Sequence, residues 1–203
     1  MAKQVLLLRH AVTEATNGDI LLGRRDAQLD ERGERQARKL ARAVSAREPD
    51  RLISSPLSRA QQTTEPIAES TGLEIETETD LQEIDFGRWG GQSFDQIRKK
   101  DPELVEEMTE EPGQFTFPEG EKIADFWERV AVVADRLEDA DASCPAVVSH
   151  GGVIRGLICH LLRIHPENYL LFKIDYASIS AVDIHDEGGV LAELNNTSHL
   201  EAR

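Results

Sequence analysis

Apolar and polar positions follow two rhythms along this chain. Short apolar runs at 4–8, 51–54, 73–77, 146–149 and 179–184, with one more at 190–194, read as strands. Longer stretches at 31–46, 58–71, 93–106, 122–140 and 152–163 repeat their apolar residues three and four apart and predict helices. In 31–46, Ala37, Leu40, Ala41 and Val44 share one face and charges fill the other. Strands separated by helices need crossover connections, which predict a mostly parallel sheet with helices on both faces, a three-layer α/β/α sandwich. One stretch resists the scheme. Residues 101–121 contain Pro102, Pro112, Pro118, Gly113 and Gly120, which predict a loop or lid.

At 203 residues the chain suits one domain, 1–203, with a lid or insertion around 93–121. No apolar run reaches membrane-spanning length, and the first residues lack the apolar core of a secretion signal. The two cysteines, Cys144 and Cys159, have no metal-type spacing, so a reducing compartment, the cytoplasm, is expected. A formal net charge of −15 argues against nucleic acid or an anionic membrane as partner. Against that background, local clusters of arginine and histidine carry more information.

Such clusters stand at three predicted strand ends. Arg9 and His10 follow the first strand. "SSPLSRAQQT" follows the second and brings Arg59 into the first turn of a helix. "SHGGVIRGL" follows the fourth, with His150 and Gly151 opening another helix. Ligands of an open parallel sheet bind beyond the carboxyl ends of its strands. Two arginines, two histidines and two helix N-termini gathered there predict a pocket for a compact oxyanion such as phosphate. Arginine stays protonated, so a histidine is the candidate nucleophile, kept neutral by its cationic neighbours. His10, between Arg9 and the following turn, is the stronger candidate. Glu83 in "LQEIDFGRWGGQ" is the candidate proton donor, with apolar Leu81 and Ile84 near it and Asp85 as its rival.

Arg9-His10 after an N-terminal strand, "GRRDAQLDERGERQA", "SSPLSRAQQT", "EIDFGRWGG" and "VVSHGGVIR" occur in order over nearly the whole chain. Together they resemble the histidine phosphatase superfamily in its phosphoglycerate-mutase-like branch. The resemblance implies a phosphoglycerate-mutase-like fold, phosphorylation of His10, and a clamp of Arg9, Arg59 and His150 on the phosphoryl group, aided by the Gly151 amide. It also implies that Glu83 acts as general acid and then base. The chain departs from the pattern at Ala11, where glycine is usual, and at Thr16, where asparagine is usual and Asn17 comes one place later. Thr16 and Asn17 therefore share one expected phosphate contact. Gly90 stands where glutamate is common, and "PEGEK" resembles the "PGGES" loop with Glu119 and Lys122 substituted.

The implied function is a metal-independent phosphomonoesterase without a cofactor, acting on a small phosphorylated metabolite. The "DFGRWGG" segment and the ending "LNNTSHL" look most like alpha-ribazole phosphatases, whose substrate is alpha-ribazole 5′-phosphate; sugar-phosphate and phosphoserine phosphatases share most of these features. The alternatives are a phosphoglycerate mutase and a catalytically idle phosphate-binding module. A homodimer is compatible with this reading. Arg24 and Arg25 are within reach of an anionic substrate or solvated, and Arg155 is equally ambiguous. His160, His165, His185 and His199 lack ligand-like spacing and read as structural or solvated. Trp89 and Trp127 read as core or lid packing.

Overall fold

The structure, a computed structural model, describes residues 3–16 and 20–201. Its strands are β1 (Lys3–Arg9), β2 (Ile20–Leu21), β3 (Arg51–Ser54), β4 (Ile75–Thr77), β5 (Gln92–Ser93), β6 (Pro145–Ser149), β7 (Ile179–His185) and β8 (Gly188–Asn196). Its α-helices are α1 (Glu31–Ser45), α2 (Ser58–Thr71), α3 (Phe94–Lys100), α4 (Pro102–Glu110), α5 (Ile123–Asp139), α6 (Gly151–Leu161) and α7 (Ser198–Glu201).

Six strands form the main sheet in the order β4-β3-β6-β1-β7-β8. The first four run parallel, and β7 and β8 are antiparallel additions at one edge. Side chains alternate across a strand, so the apolar run of β1 is split between two cores. Leu6 and Leu8 join Leu52, Ala146 and Val148 beneath Ala37, Leu40, Ala41 and Val44 of α1 and Ile67 of α2. Val5 and Leu7 join Ile53 and Val147 beneath Val130, Val133 and Leu137 of α5 and Ile154, Leu157 and Ile158 of α6. This is a three-layer α/β/α arrangement with a mostly parallel sheet, as expected.

The stretch 93–106 departs from the single helix its periodicity predicts. Pro102 disfavours helical backbone at the residue before it, and Asp101 sits at φ −130°, ψ 54°, between α3 and α4. Proline is well placed at the first position of the next helix, so α4 continues to Glu110 where a loop was expected. The remainder of the stretch is pinned by aromatic packing. Trp89 lies against Phe115 and Phe117, with ring centroids at 5.5 and 5.7 Å, and all three are buried. Arg88 and the Trp89 indole also donate to the Asp101 carboxylate. The short pair β2–β5, which has no clear sequence signal, fastens residues 20–21 to the same region.

Among the described residues, no helix is long and apolar enough to cross a membrane.

Candidate active site

Because β3, β6 and β1 are adjacent and parallel, their carboxyl ends open onto one edge of the sheet. The residues that follow them are therefore neighbours. The ring of His10 lies 5.1 Å from that of His150, centroid to centroid, and Arg59 reaches both. Sequence reasoning placed these three side chains together, and the structure brings them together.

His10 is buried, and its Nδ1 lies 2.8 Å from the carbonyl oxygen of Ala11. A carbonyl can only accept, so Nδ1 carries the proton and Nε2 keeps its lone pair. The Nε–H of Arg59 points at that lone pair from 3.3 Å and at Nδ1 of His150 from 3.2 Å, a three-centre arrangement. With Nδ1 of His150 accepting, its Nε2–H donates to Ser55 Oγ at 2.8 Å. Burial, and then the charges of Arg59 and Arg9, lower the His10 pKa well below 6.5. Burial again leads for His150, followed by Arg59 and His10. The cationic neighbours act in the expected direction on His10, with burial as the larger cause.

Arg59 is 1% exposed on the first turn of α2. Its Nη1 donates to the Arg25 carbonyl at 2.9 Å and its Nη2 to the Gly23 carbonyl at 2.7 Å. Asp26 secures the same loop to the helix by accepting from the Ser58 amide and hydroxyl. Arg59 is therefore held from four sides, through three of its five N–H groups.

Arg9 ends β1. Its Nη1 donates to the Ile174 carbonyl at 2.6 Å, and its guanidinium carbon lies 3.7 Å from the Tyr176 ring centroid. Its Nε is buried and makes no hydrogen bond among the described residues. A Cβ on Gly151 would lie 3.5 Å from that Nε, so the orphan donor runs alongside the start of α6. A buried N–H without a partner costs about 1–3 kcal/mol, and the helix start beside it also favours an anion.

Glu83 meets the same helix start. Its Oε2 accepts from the Gly152 amide at 3.1 Å, and its Oε1 accepts from the Ile84 amide at 3.1 Å. Asp85, its rival, instead accepts from the Gly87 amide at 2.9 Å in a local turn. Thr16 bonds through its hydroxyl to the amide and hydroxyl of Thr13, both at 2.9 Å. Asn17 lies outside the described residues.

Arg24 does not project freely to the pocket. It donates to the Glu83 carbonyl and to the Glu121 carboxylate. Arg25 lies over the backbone of Gly90 and Gly91, where a Cβ would come within 3.0–3.1 Å of it. The absent side chain at Gly90 thus leaves the room that Arg25 occupies. Sequence reasoning missed Tyr176, which has no local signature; the fold alone brings its ring against Arg9.

Away from this edge, ligand atoms of Asp135, Glu138 and His160 lie within 4.8 Å of one another. His160 already bonds to Asp135, and Arg163 pairs with Glu138.

The sequence profile of the histidine phosphatase superfamily (branch 1) matches residues 5–197. "Phosphoserine phosphatase 1" of Hydrogenobacter thermophilus is 33% identical over 97% of this chain and 94% of its own length. "Probable phosphoglycerate mutase GpmB" of Yersinia enterocolitica is 29% identical over 98% of this chain and 95% of its own. The alpha-ribazole phosphatase from Shigella flexneri superposes with a TM-score of 0.87 at 27% identity, covering 95% of this chain and 96% of that one. The chain belongs to branch 1 of the histidine phosphatase superfamily and is a phosphatase.

Proposed function

We propose that the protein hydrolyses a small phosphomonoester through a phosphohistidine on His10, with no metal and no cofactor. The observation that carries this reading is the tautomer of His10: Nδ1 is committed to the Ala11 carbonyl, which leaves an Nε2 lone pair facing Arg59. The orphaned Nε of Arg9 supports it, because a phosphoryl oxygen would supply the missing acceptor.

In the first step His10 Nε2 attacks phosphorus, the P–O bond to the leaving group breaks, and its electron pair goes to the departing oxygen. Glu83 gives that oxygen a proton. Arg9, Arg59, His150 and the Gly151 amide receive the charge spread over the phosphoryl oxygens. In the second step water attacks phosphorus, Glu83 takes a proton from it, and the P–N bond breaks to release inorganic phosphate and restore neutral His10. The arginines and helix amides supply the positive field that a metal supplies in other phosphatases. One further phosphate contact comes from Thr16 or Asn17 in this reading.

The chain is read as one domain, 1–203, in which residues 93–121 cover the leaving-group side and read its shape. It acts in the cytoplasm on soluble metabolites, not on nucleic acid or membrane. Alpha-ribazole 5′-phosphate is the first substrate to test, given the Shigella likeness, and O-phosphoserine the second, given the Hydrogenobacter likeness. A panel of phosphorylated metabolites assayed for released phosphate tests the reading. Release from one or more phosphomonoesters supports it. Conversion of 3-phosphoglycerate to its isomer without release would replace hydrolysis with mutase transfer, and inertness toward every member would leave a binding module.

A further inference from the structure

The acid assigned to Glu83 sits on irregular backbone between β4 and α3, with one short 3₁₀ turn before it and another after it. Neither a strand nor an α-helix fixes its position. Something else must hold that segment, because a proton donor displaced by 1 Å loses most of its advantage.

The holding element is an ion pair from α5 and the preceding loop. Arg129 donates through Nη1 to the carbonyls of Asp80 and Gln82 at 2.5 and 2.7 Å, and through Nη2 to that of Glu83 at 3.3 Å. Its Nε and Nη2 also bind both carboxylate oxygens of Glu121, at 2.7 and 3.0 Å. All five guanidinium N–H groups are thereby used. Glu121 in turn accepts from the Asp85 amide at 3.1 Å and donates its own amide to the Asp85 carbonyl at 2.9 Å. Arg24 closes the ring, donating to the Glu83 carbonyl at 3.2 Å and to Glu121 at 3.0 Å. Arg129 and Glu121 are 13% and 11% exposed, so solvent competes little with these bonds. Burial raises the Glu121 pKa, but Arg129, the Asp85 amide and Arg24 outweigh it and hold the group below the ordinary carboxylate range, so it is anionic at neutral pH.

We propose that Glu121 and Arg129 are positioning residues for Glu83, an ion pair that fixes the backbone from Asp80 to Asp85 and so holds the Glu83 carboxylate at the Gly152 amide. The pair touches no reacting atom. It acts through Glu83 and rests on the acid role assigned above. A pair that only stabilised the fold would lower the melting temperature and slow every substrate alike. A pair that positions the acid slows only the steps that need its proton.

The test compares wild type, Glu83→Gln, Glu121→Gln, Arg129→Lys and the Glu83→Gln/Glu121→Gln double variant, each by rapid quench. With p-nitrophenyl phosphate, whose leaving group needs no proton, the burst of p-nitrophenolate should stay within about threefold of wild type throughout. With O-phosphoserine, phosphohistidine formation should slow by about a hundredfold in Glu83→Gln and by about tenfold or more in Glu121→Gln and Arg129→Lys. The double variant should be no slower than Glu83→Gln alone, because Glu121 has nothing left to position. Equal slowing of both substrates by Glu121→Gln, or a further loss in the double variant, overturns the positioning role while leaving the acid assignment intact. No substrate difference in Glu83→Gln itself overturns both. If Glu121→Gln does not fold, Arg129→Lys carries the comparison, since lysine keeps the charge but has too few donors for five bonds.

Discussion

A Cβ added to Gly152 would lie 2.5 Å from Oε1 of Glu83. The glycine is therefore what admits the carboxylate to the first turn of α6, and its amide is what receives it. Alanine suits a helix better than glycine by about 1 kcal/mol, so Gly152→Ala should cost α6 little intrinsically. It should nevertheless drive Glu83 off its amide and cut hydrolysis of alkyl phosphates by about a hundredfold, the range of a lost general acid. Steady-state rates on O-phosphoserine, beside a melting curve, check this. A fully active Gly152→Ala protein would show that Glu83 does not need this seat.

Arg59 should tolerate no substitute. Its guanidinium meets two imidazoles and two loop carbonyls, and a lysine ammonium cannot reach all four in one plane. Arg59→Lys and, more severely, Arg59→Ala should raise the barrier by about 2–4 kcal/mol, seen mainly in kcat. A rise in KM alone would make Arg59 a ground-state contact.

Much of this site was legible in the sequence because three of its parts sit at strand ends. A parallel sheet converts strand ends far apart in sequence into neighbours, so Arg9, His10, Arg59 and His150 group together from the sequence alone. The supports were not legible. Arg129 is one charged residue on an amphipathic helix, and only the fold brings it to the carbonyls of Asp80, Gln82 and Glu83. Tyr176 lies under Arg9 for the same reason. The proline-rich stretch misled differently. Pro102 reads as a breaker, yet it starts α4, and the phenylalanines within the expected loop are buried against Trp89. Glu119 adds a local departure: it holds φ 61° in a loop where the resembled motif has glycine.

Stability should fall in mild acid for a reason seated in the site. Burial first, and then nearby cations, lower the His10 and His150 pKa values well below 6.5, so both stay neutral in the folded protein as the unfolded chain begins to protonate. The unfolded state then binds more protons, and the stabilising contribution present above pH 6.5 is lost as pH falls through the folded values. Between pH 7.5 and 5.5 the loss should be about 1.4 kcal/mol for each histidine. Urea denaturation in phosphate-free buffer measures it, and His10→Gln should remove about half of the combined effect. Identical pH dependence in His10→Gln would contradict the neutral assignment.

Chelation should leave turnover intact. The positive field comes from Arg9, Arg59 and the start of α6, so assays in excess EDTA should match untreated enzyme. Activity lost to EDTA and restored by one particular divalent ion would move the chemistry to a metal-assisted class.

The most direct measurement is the site of phosphorylation. Enzyme mixed briefly with substrate, quenched in alkali and digested should carry an acid-labile phosphate on His10, identified by fragmentation mass spectrometry. His10→Ala should carry none and turn nothing over, because in the proposed mechanism the nucleophile is the His10 Nε2, which the Nδ1 contact to Ala11 leaves unprotonated. Phosphate on a serine or on His150, or turnover that survives in His10→Ala, would contradict the account at its centre.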